Sequence, residues 1–352
     1  LMDVTFGTWG DADNDGDLEL LVANFGSGNN AFYRNQGDGT FVEDPSAGLG
    51  PGGGGAVIPV WADFNNDGYL DVFLARNNTP CCYYQNNKDG TFQRITAGPH
   101  AQTMGLGASA GDYDNDGDLD LFLTRGQGSG EPCLLFRNEG DGTFVSVTCG
   151  SLTQDRGHWT SCAWADHDND GALDLVVTTV ANENNALFHN NGNANAWLLV
   201  QLVGTQSNRD AIGAKVGATA LIGGRPTHQM RQIGGGSLGD PRAHFGLGNA
   251  TRVSTLRVEW PSGAVEEFTN VAVNQILALV EPSLRGEFGA DGMFYLQIRG
   301  DPNRTYEVQA SADLTTWESV LYVVGPGADQ AAEIAEPVSE QAQRFYRMVV
   351  VQ

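Results

Sequence analysis

Four acidic loops carry the residue types and spacing that could bind metal ions. They read DADNDGDLE at 11–19 (loop 1), DFNNDGYLD at 63–71 (loop 2), DYDNDGDLD at 112–120 (loop 3) and DHDNDGALD at 166–174 (loop 4). Each places an oxygen-bearing side chain at its first, third, fifth and ninth positions and a glycine at its sixth. Alternate residues of a tight loop can point inward, and Ca²⁺ prefers carboxylate and carbonyl oxygens. Since glycine permits the sharp bend that lets the chain wrap around a cation, the pattern predicts calcium sites.

The spacing predicts about four structural Ca²⁺ ions, each held by four side chains and by the backbone carbonyl of the seventh loop residue. The seventh residue varies among the loops, as expected where only its backbone is used. No helical pattern flanks the loops, so they are not EF-hands. The predicted ligands are Asp11, Asp13, Asp15, Asp17 and Glu19 in loop 1; Asp63, Asn65, Asp67, Tyr69 and Asp71 in loop 2; Asp112, Asp114, Asp116, Asp118 and Asp120 in loop 3; and Asp166, Asp168, Asp170, Ala172 and Asp174 in loop 4.

The charge of the chain supports a cation partner and argues against several other partners. The 352 residues include 43 Asp and Glu but 19 Lys and Arg, which gives a formal net charge of −24. Such a chain cannot neutralise the phosphates of a nucleic acid or bind an anionic membrane surface. No apolar run approaches the ~18 residues that a membrane helix needs, so we expect no membrane insertion. The loops contain 17 of the 43 acidic residues, and four Ca²⁺ ions would bring the net charge to −16.

The segments around each loop predict a repeated β-structure. A strand-like run precedes every loop, and an apolar strand follows it (LELLVAN, LDVFLAR, LDLFLTR, LDLVVTT). A stretch ending in Asn comes next, and three repeats then turn through DGTF, a β-hairpin signal. One repeat is therefore about 50 residues and four short antiparallel strands, which is the size of a propeller blade. Four blades would fill residues 1–196, either as a small closed disc or as part of a larger propeller completed by blades upstream or on another chain.

The rest of the chain lacks the Asp pattern and predicts two further β-structures. Alternating strands fill residues 197–282, and several strands in 283–352 predict a small β-sandwich. Because no segment shows a convincing helical period, the fold class is predicted to be all-β. Five cysteines leave two interpretations open, namely one or two disulfides or buried thiols.

The loops and strands of the repeats resemble the FG-GAP or VCBS repeat, whose D-x-D-x-D-G-x-x-D loop binds calcium in integrin-α-like propellers. The resemblance implies a seven-bladed disc in many relatives, whereas four copies are visible in this sequence. Residues 197–282 resemble the ASPIC/UnbV module of cartilage acidic protein-like and other secreted proteins, through NRDAIGAKV (208–216), HFGLG (244–248), VEWPSG (258–263) and NQIL (274–277). Residues 283–352 resemble the C-terminal immunoglobulin- or fibronectin-like modules of bacterial secreted proteins.

These features predict an extracellular, secreted or cell-surface protein that is stabilised by calcium and acts as a scaffold or in adhesion. Its partners would be other proteins or copies of itself, assembled in one version as a filament. One alternative is a lectin that binds surface glycans through Trp9, Trp61 and Trp164, although such residues also pack between blades. A second alternative is a polysaccharide-active enzyme, but no catalytic constellation is found. Ser237 fits G-x-S-x-G without the strand, turn and helix that this motif requires.

Overall fold

A computed structural model describes residues 4–25, 29–49, 55–126, 131–179, 183–234, 240–289, 293–302, 304–312, 314–327, 332–337 and 344–351. Within these ranges the chain forms twenty-eight β-strands and three 3₁₀ helices, Pro45–Ala47, Pro99–Gln102 and Gly150–Thr153. The predicted all-β fold class is therefore confirmed. The five cysteines are all free thiols, and four of them are buried.

Each of the four repeats folds as its own antiparallel sheet, numbered 1 to 4 in chain order. The strands of sheets 1 and 2 are β1 (Val4–Gly10), β2 (Glu19–Asn24), β3 (Ala31–Asn35), β4 (Phe41–Glu43), β5 (Ala56–Ala62), β6 (Asp71–Arg76), β7 (Cys82–Asn86) and β8 (Phe92–Ile95). Those of sheets 3 and 4 are β9 (Ala108–Gly111), β10 (Asp120–Leu123), β11 (Leu134–Asn138), β12 (Phe144–Val147), β13 (Trp159–Ala165), β14 (Asp174–Thr179) and β15 (Ala186–Phe188). Sheet 4 has three strands in the described residues.

The sheets stack in chain order, and this brings the acidic loops together. Extensive contacts join β1 to β5, β5 to β9 and β9 to β13, whereas none of that extent joins β13 to β1 in the described residues. Every acidic loop connects the first strand of its sheet to the second, and its ninth residue begins that second strand. Neighbouring loops therefore lie at the same end of the stacked sheets.

Buried aromatic side chains fill the spaces between successive sheets. Trp61 lies over Gly10 of sheet 1, where a Cβ atom would come within 2.7 Å of the indole ring. Trp164 lies over Gly111 of sheet 3 with the same 2.7 Å limit. The edge-to-face contact between Trp164 and Phe122, with ring centroids 6.1 Å apart, continues this core. Of the two roles that the sequence leaves open for these tryptophans, Trp61 and Trp164 adopt the packing one.

The remaining strands form four smaller sheets in the described residues. Two of them, ordered β19-β16-β22 and β18-β17-β20-β21, follow the repeats. The other two, β23-β24-β27 and β26-β25-β28, share one apolar core around Leu296, Ile298 and Val308 and form the predicted small sandwich. Their strands are β16 (Ala196–Val203), β17 (Lys215–Ile222), β18 (Arg225–Gln232), β19 (Ala243–Gly248), β20 (Arg252–Glu259), β21 (Val265–Ala272), β22 (Gln275–Val280), β23 (Ser283–Phe288), β24 (Met293–Arg299), β25 (Thr305–Ser311), β26 (Glu318–Val324), β27 (Ala332–Pro337) and β28 (Phe345–Val351).

Internal contacts divide the chain into two compact units. Unit 1 comprises Leu1–Leu199, Gly213–Glu259 and Val265–Ile276, and unit 2 comprises Val200–Ile212, Trp260–Ala264 and Leu277–Gln352. Unit 1 thus joins the four repeats to β17–β21. The three predicted domains, with boundaries at 196 and 282, stay a prediction.

Candidate metal sites in the acidic loops

The first residue of each loop fixes the turn through its carboxylate. In loops 2, 3 and 4 one oxygen of Asp63, Asp112 or Asp166 accepts a hydrogen bond from the fifth residue's N–H at 3.0–3.1 Å. The other oxygen accepts one from the glycine N–H at 2.9–3.0 Å. In loop 1 the glycine N–H bonds to Asp11 at 2.9 Å. The sequence pattern therefore folds the same way in every repeat, and its first carboxylate also holds the backbone.

The ninth residue closes the loop from the other side. Asp71, Asp120 and Asp174 each accept a bond from the second loop residue's N–H at 3.2–3.3 Å. Each also accepts one, at 2.8–2.9 Å, from the backbone N–H of the Asn that ends or follows the third strand. In loop 1, the ninth residue, Glu19, accepts the corresponding hydrogen bond from the backbone N–H of the second residue, Ala12, at 2.8 Å. Because these carboxylates are almost fully buried, the loop surrounds them as a small enclosed site.

A recurrent asparagine joins each repeat to the one before it. The side-chain amides of Asn86, Asn138 and Asn190 donate to the carbonyl of the eighth loop residue in their own repeat at 3.0–3.2 Å. They also donate to the second loop residue of the preceding repeat at 2.6–2.7 Å. The repeat pattern marks this Asn as the end of a strand but does not reveal its role. Its recurrence in register was the signal.

A second asparagine, the fourth residue of each loop, links neighbouring loops. Asn14, Asn66 and Asn115 have φ values of 55–63°, a left-handed conformation that Asn tolerates. Their amides donate to the glycine carbonyl of the next loop at 2.9, 3.3 and 3.0 Å. The acidic loops are therefore hydrogen-bonded in series.

Three loops bring carboxylates close enough to share one ion. In each of loops 1, 3 and 4, oxygens of three predicted ligands lie within 4.8 Å of one another. These sets are Asp11, Asp13 and Asp15; Asp112, Asp114 and Asp120; and Asp166, Asp168 and Asp174. Loop 2 forms no such set in the described residues, because its third position is Asn65, whose amide donates to Asp67 at 3.0 Å. In all four loops, the backbone N–H of the seventh residue donates a hydrogen bond to the carboxylate of the fifth residue at 2.8–3.0 Å.

Models of known families match both the repeats and the strands that follow them. The model described as FG-GAP-like repeat matches residues 11–74, 63–123 and 126–177, and the model described as ASPIC and UnbV matches 204–285. The chain carries FG-GAP-like repeats followed by an ASPIC and UnbV domain. The resemblances to the FG-GAP repeat and to the ASPIC/UnbV module are thereby confirmed, and that of 283–352 to immunoglobulin- or fibronectin-like modules stays a prediction.

Curated relatives match this chain over part of their length. Cartilage acidic protein 1 of Mus musculus is 31% identical over 276 residues, and that of Homo sapiens is 31% identical over 277. Each alignment covers 73% of this chain but 42% and 41% of the relatives, so the chain spans about two-fifths of their length. The crystal structure of AofleA from Arthrobotrys oligospora covers 99% of this chain and 90% of its own, at 10% identity and a TM-score of 0.31, which supports no argument.

Burial makes the FG-GAP-like loops unfavourable places for unpaired negative charge. It raises the pKa of Asp63 to about 6, of Glu19 to about 7 and of Asp71 to about 8. Burial, then the neighbouring carboxylates of loop 3, raises the pKa of Asp112 and of Asp120 well above the ordinary value. A cation at the centre of each loop would favour the charged forms and reverse these shifts.

Three buried carboxylate oxygens in these loops point to such a cation. The Oδ1 atoms of Asp11, Asp13 and Asp114 are buried and accept no hydrogen bond. Buried polar atoms are nearly always paired, so an unpaired oxygen needs a ligand that the chain does not supply. Hard oxygen donors in a small loop fit Ca²⁺, and the residues present therefore suit the ion that the sequence predicts.

The ASPIC and UnbV strands of unit 1 bring basic residues to the outer face of the loops. Lys215 contacts Asp11 and donates to Asn14 at 2.6 Å. Arg242 donates to the backbone carbonyl of Asp166 at 2.8 Å and to Asn169 at 2.7 Å. The sequence does not predict these contacts, because the partners are separated by 73 residues or more.

Two other sequence expectations concern residues away from the loops. Ser237 lies outside the described residues. Among the described residues, no helix is long and apolar enough to cross a membrane.

Proposed function

We propose that this chain is a non-catalytic extracellular scaffold, stabilised by calcium, that mediates protein–protein contacts and assembles head-to-tail with copies of itself. The carrying observation is that the two outermost repeat sheets expose the faces that the inner sheets bury. The proposal that calcium stabilises the chain rests on the convergent carboxylates and unpaired oxygens of the acidic loops.

Calcium would supply stability on the scale of a whole domain. With free Ca²⁺ about tenfold above Kd, one site contributes about 1.4 kcal/mol and four contribute about 6 kcal/mol. The net stability of a typical domain is ~5–15 kcal/mol. Sites that hold the fold in this way suit a compartment with millimolar calcium, which is the space outside cells. Relatives named cartilage acidic protein and the charge of −24 favour the same location.

Sheet 1 exposes the face that sheet 2 buries. Trp61 and Phe92 of sheet 2 pack against sheet 1 and are 4% and 6% exposed. Trp9 and Phe41 occupy the same repeat positions in sheet 1, with ring centroids 5.6 Å apart, yet they are 42% and 41% exposed. We call this pair the front face. Exposed aromatic pairs of this kind are typical of interaction surfaces.

Sheet 4 exposes the opposite face. Val176 and Leu187 correspond in the repeat to Phe73 and Tyr83, which are buried against sheet 3. Here they are 38% and 56% exposed. We call this pair the back face. In the described residues, each contact between successive repeat sheets packs a back face on the front face of the next sheet, so the two exposed faces are complementary.

A second copy of the chain can therefore continue the row of sheets. Its back face would meet the front face of the first copy, with the polarity of the internal contacts. Repetition of one such heterologous contact gives a closed ring or an open filament, depending on the rotation between copies. This geometry favours another sheet of the same repeat over a partner of unrelated shape, and we propose that a second copy supplies it.

Light scattering coupled to size exclusion, with electron microscopy, tests the assembly in millimolar calcium. The front variant Trp9→Ser/Phe41→Ser and the back variant Val176→Ser/Leu187→Ser should each be monomeric where the unchanged chain forms oligomers. Mixed together, they should form a one-to-one heterodimer, because the intact back face of one meets the intact front face of the other. The control Tyr322→Ser/Val324→Ser removes two exposed apolar side chains of unit 2 and should leave assembly intact.

Three results would overturn the proposal. One is a chain that remains monomeric at every concentration in calcium. Another is a mixture of the two variants that fails to form a heterodimer while both variants keep the melting temperature of the unchanged chain. The third is loss of assembly in the unit 2 control alone.

A further inference from the structure

The fourth repeat contains a cluster of histidines that the other three repeats lack. His167 is the second residue of loop 4, where the other loops have Ala12, Phe64 and Tyr113. His189 precedes the recurrent asparagine, where the other repeats have Arg34, Gln85 and Arg137. Both imidazoles are additions to a calcium loop that is otherwise complete. Calcium does not require them, because it prefers oxygen ligands.

The two rings converge on the carboxylates of loop 4. His167 Nδ1 contacts one oxygen of Asp174, and His189 Nδ1 lies 3.0 Å from the other. His189 Nδ1 is also 3.8 Å from Asp168 Oδ2, and the ring centroids of the two histidines are 5.8 Å apart. One ligand atom from each of His167, Asp168 and His189 lies within 4.8 Å of the other two.

The cluster is exposed to solvent, and its two imidazole rings contact a buried carboxylate. The side chains of His167, His189 and Asp168 are 43%, 47% and 42% exposed, so an ion can reach them directly. Asp174 is 2% exposed and is fixed by the backbone N–H groups of His167 and Asn190. A buried carboxylate behind two histidines is the arrangement that orients imidazole ligands in transition-metal sites.

We propose that His167, His189 and Asp168 form a second kind of metal site, one that binds a divalent transition metal of the zinc class. Two imidazole nitrogens and a carboxylate oxygen suit Zn²⁺, Cu²⁺ or Ni²⁺ and do not suit Ca²⁺. Three protein ligands leave a fourth position of a tetrahedral site open to water or to a side chain from another molecule. The fourth repeat would thus bind a transition metal through two histidines that the other repeats lack.

Titration of the full chain with Zn²⁺ and Co²⁺ in millimolar calcium tests the site. Calorimetry should find one equivalent of Zn²⁺, and Co²⁺ should give the visible absorption of a low-symmetry site. His167→Gln and His189→Gln should each weaken Zn²⁺ binding at least about tenfold. The control His158→Gln changes another exposed histidine of the same repeat, which pairs with Glu183 at 2.8 Å, and should have no effect.

Two further measurements separate the loss of metal ligands from a general loss of structure. The melting temperature of each variant in calcium should equal that of the unchanged chain, because both histidines lie at the surface. Asp114→Asn, which alters loop 3, should leave Zn²⁺ affinity unchanged. Absence of stoichiometric Zn²⁺ binding would overturn the proposal, as would Zn²⁺ affinity that survives in the double variant His167→Gln/His189→Gln.

Discussion

The two units of the chain bury carboxylates in opposite ways. In unit 2, Glu281 is completely buried, and one of its oxygens accepts hydrogen bonds from three successive backbone N–H groups, those of 205–207, at 2.7–2.8 Å. Ser207 and Ser262 donate to the other oxygen. Although burial opposes the charge, these hydrogen bonds hold the pKa of Glu281 below its usual value. The chain itself therefore supplies everything that this carboxylate needs.

The acidic loops of unit 1 hold more carboxylates than their backbone donors can satisfy. Asp114 keeps an unpaired buried oxygen, and Asp112 and Asp120 have raised pKa values through burial. The difference teaches that the charge of a buried carboxylate is decided by its donors rather than by burial alone. Under the calcium proposal, unit 1 should therefore depend on an external cation, whereas Glu281 of unit 2 should not.

Calcium removal should give the largest effect and the clearest separation of the units. We expect EGTA to lower the melting temperature of unit 1 by well over about 10 °C, since four sites together contribute about 6 kcal/mol. Hydrogen exchange followed by mass spectrometry can resolve both units in the full chain. Peptides that cover 63–71 and 112–120 should exchange faster in EGTA, whereas those that cover 200–207 and 277–282 should not. Equal acceleration of exchange in both units would contradict the difference between them. If exchange accelerates in neither unit, calcium does not stabilise the loops.

Glu281→Gln should give the next largest effect, confined to unit 2. The substitution replaces a charged acceptor of five hydrogen bonds by an amide that also brings its own N–H donors, at a cost of about 2–3 kcal/mol. Chemical denaturation should find the same loss in calcium and in EGTA. The control Glu287→Gln changes an exposed carboxylate of the same unit and should cost less than about 0.5 kcal/mol. A loss that appears only in calcium would contradict the distinction between the units.

Asp114→Asn should have a smaller effect that depends on calcium. Calorimetry should find one Ca²⁺ ion fewer, and stability in calcium should fall by about 1.4 kcal/mol. Stability in EGTA should not fall, because the unpaired oxygen has no partner to lose. The control Asp141→Asn lies in the hairpin turn of the same sheet, where Asp141 accepts a bond from the backbone of Thr143 at 3.0 Å. Its effect should be identical in calcium and in EGTA.

The pH dependence in EGTA should have a sign that differs between the units. Burial raises the pKa of Asp71 from 3.8 to about 8, so its contribution is most favourable at low pH and is lost as the pH rises through 8. Glu281 has a lowered pKa, so its contribution is present above its ordinary value of 4.5 and is lost on acidification below that value. Between about pH 5 and pH 8, the protection factors, which correct for the base-catalysed rise of the intrinsic exchange rate, should therefore fall in unit 1 and stay nearly constant in unit 2. A parallel trend in both units would show that another group dominates.

Local sequence pattern was sufficient to predict the fold class and the repeated loops. The Asp-Gly turns and alternating apolar residues specify antiparallel strands, because turn geometry and side-chain alternation depend on near neighbours. The positions of the loop carboxylates followed for the same reason, since nine consecutive residues contain the whole turn. The convergence of Asp112, Asp114 and Asp120 in loop 3 illustrates this.

Contacts between distant segments could not be predicted from the sequence. Asn138 bonds to the carbonyl of Phe64, 74 residues away, and Lys215 reaches Asp11 across more than 200 residues. The repeat pattern marked the asparagine but gave no partner for it. Glu281 carried no motif at all, because its donors come from two other segments of unit 2.

The sequence by itself determined that this protein is an all-β chain with four equivalent acidic turns, because those properties are encoded within each repeat. Only the tertiary structure determined which copies of a repeat position are buried and which are exposed. Trp9 and Trp61 occupy the same repeat position, yet one is exposed and the other is buried. Burial depends on whether a neighbouring sheet covers the residue. The repeated sequence has Trp at both positions and therefore cannot show which one is covered.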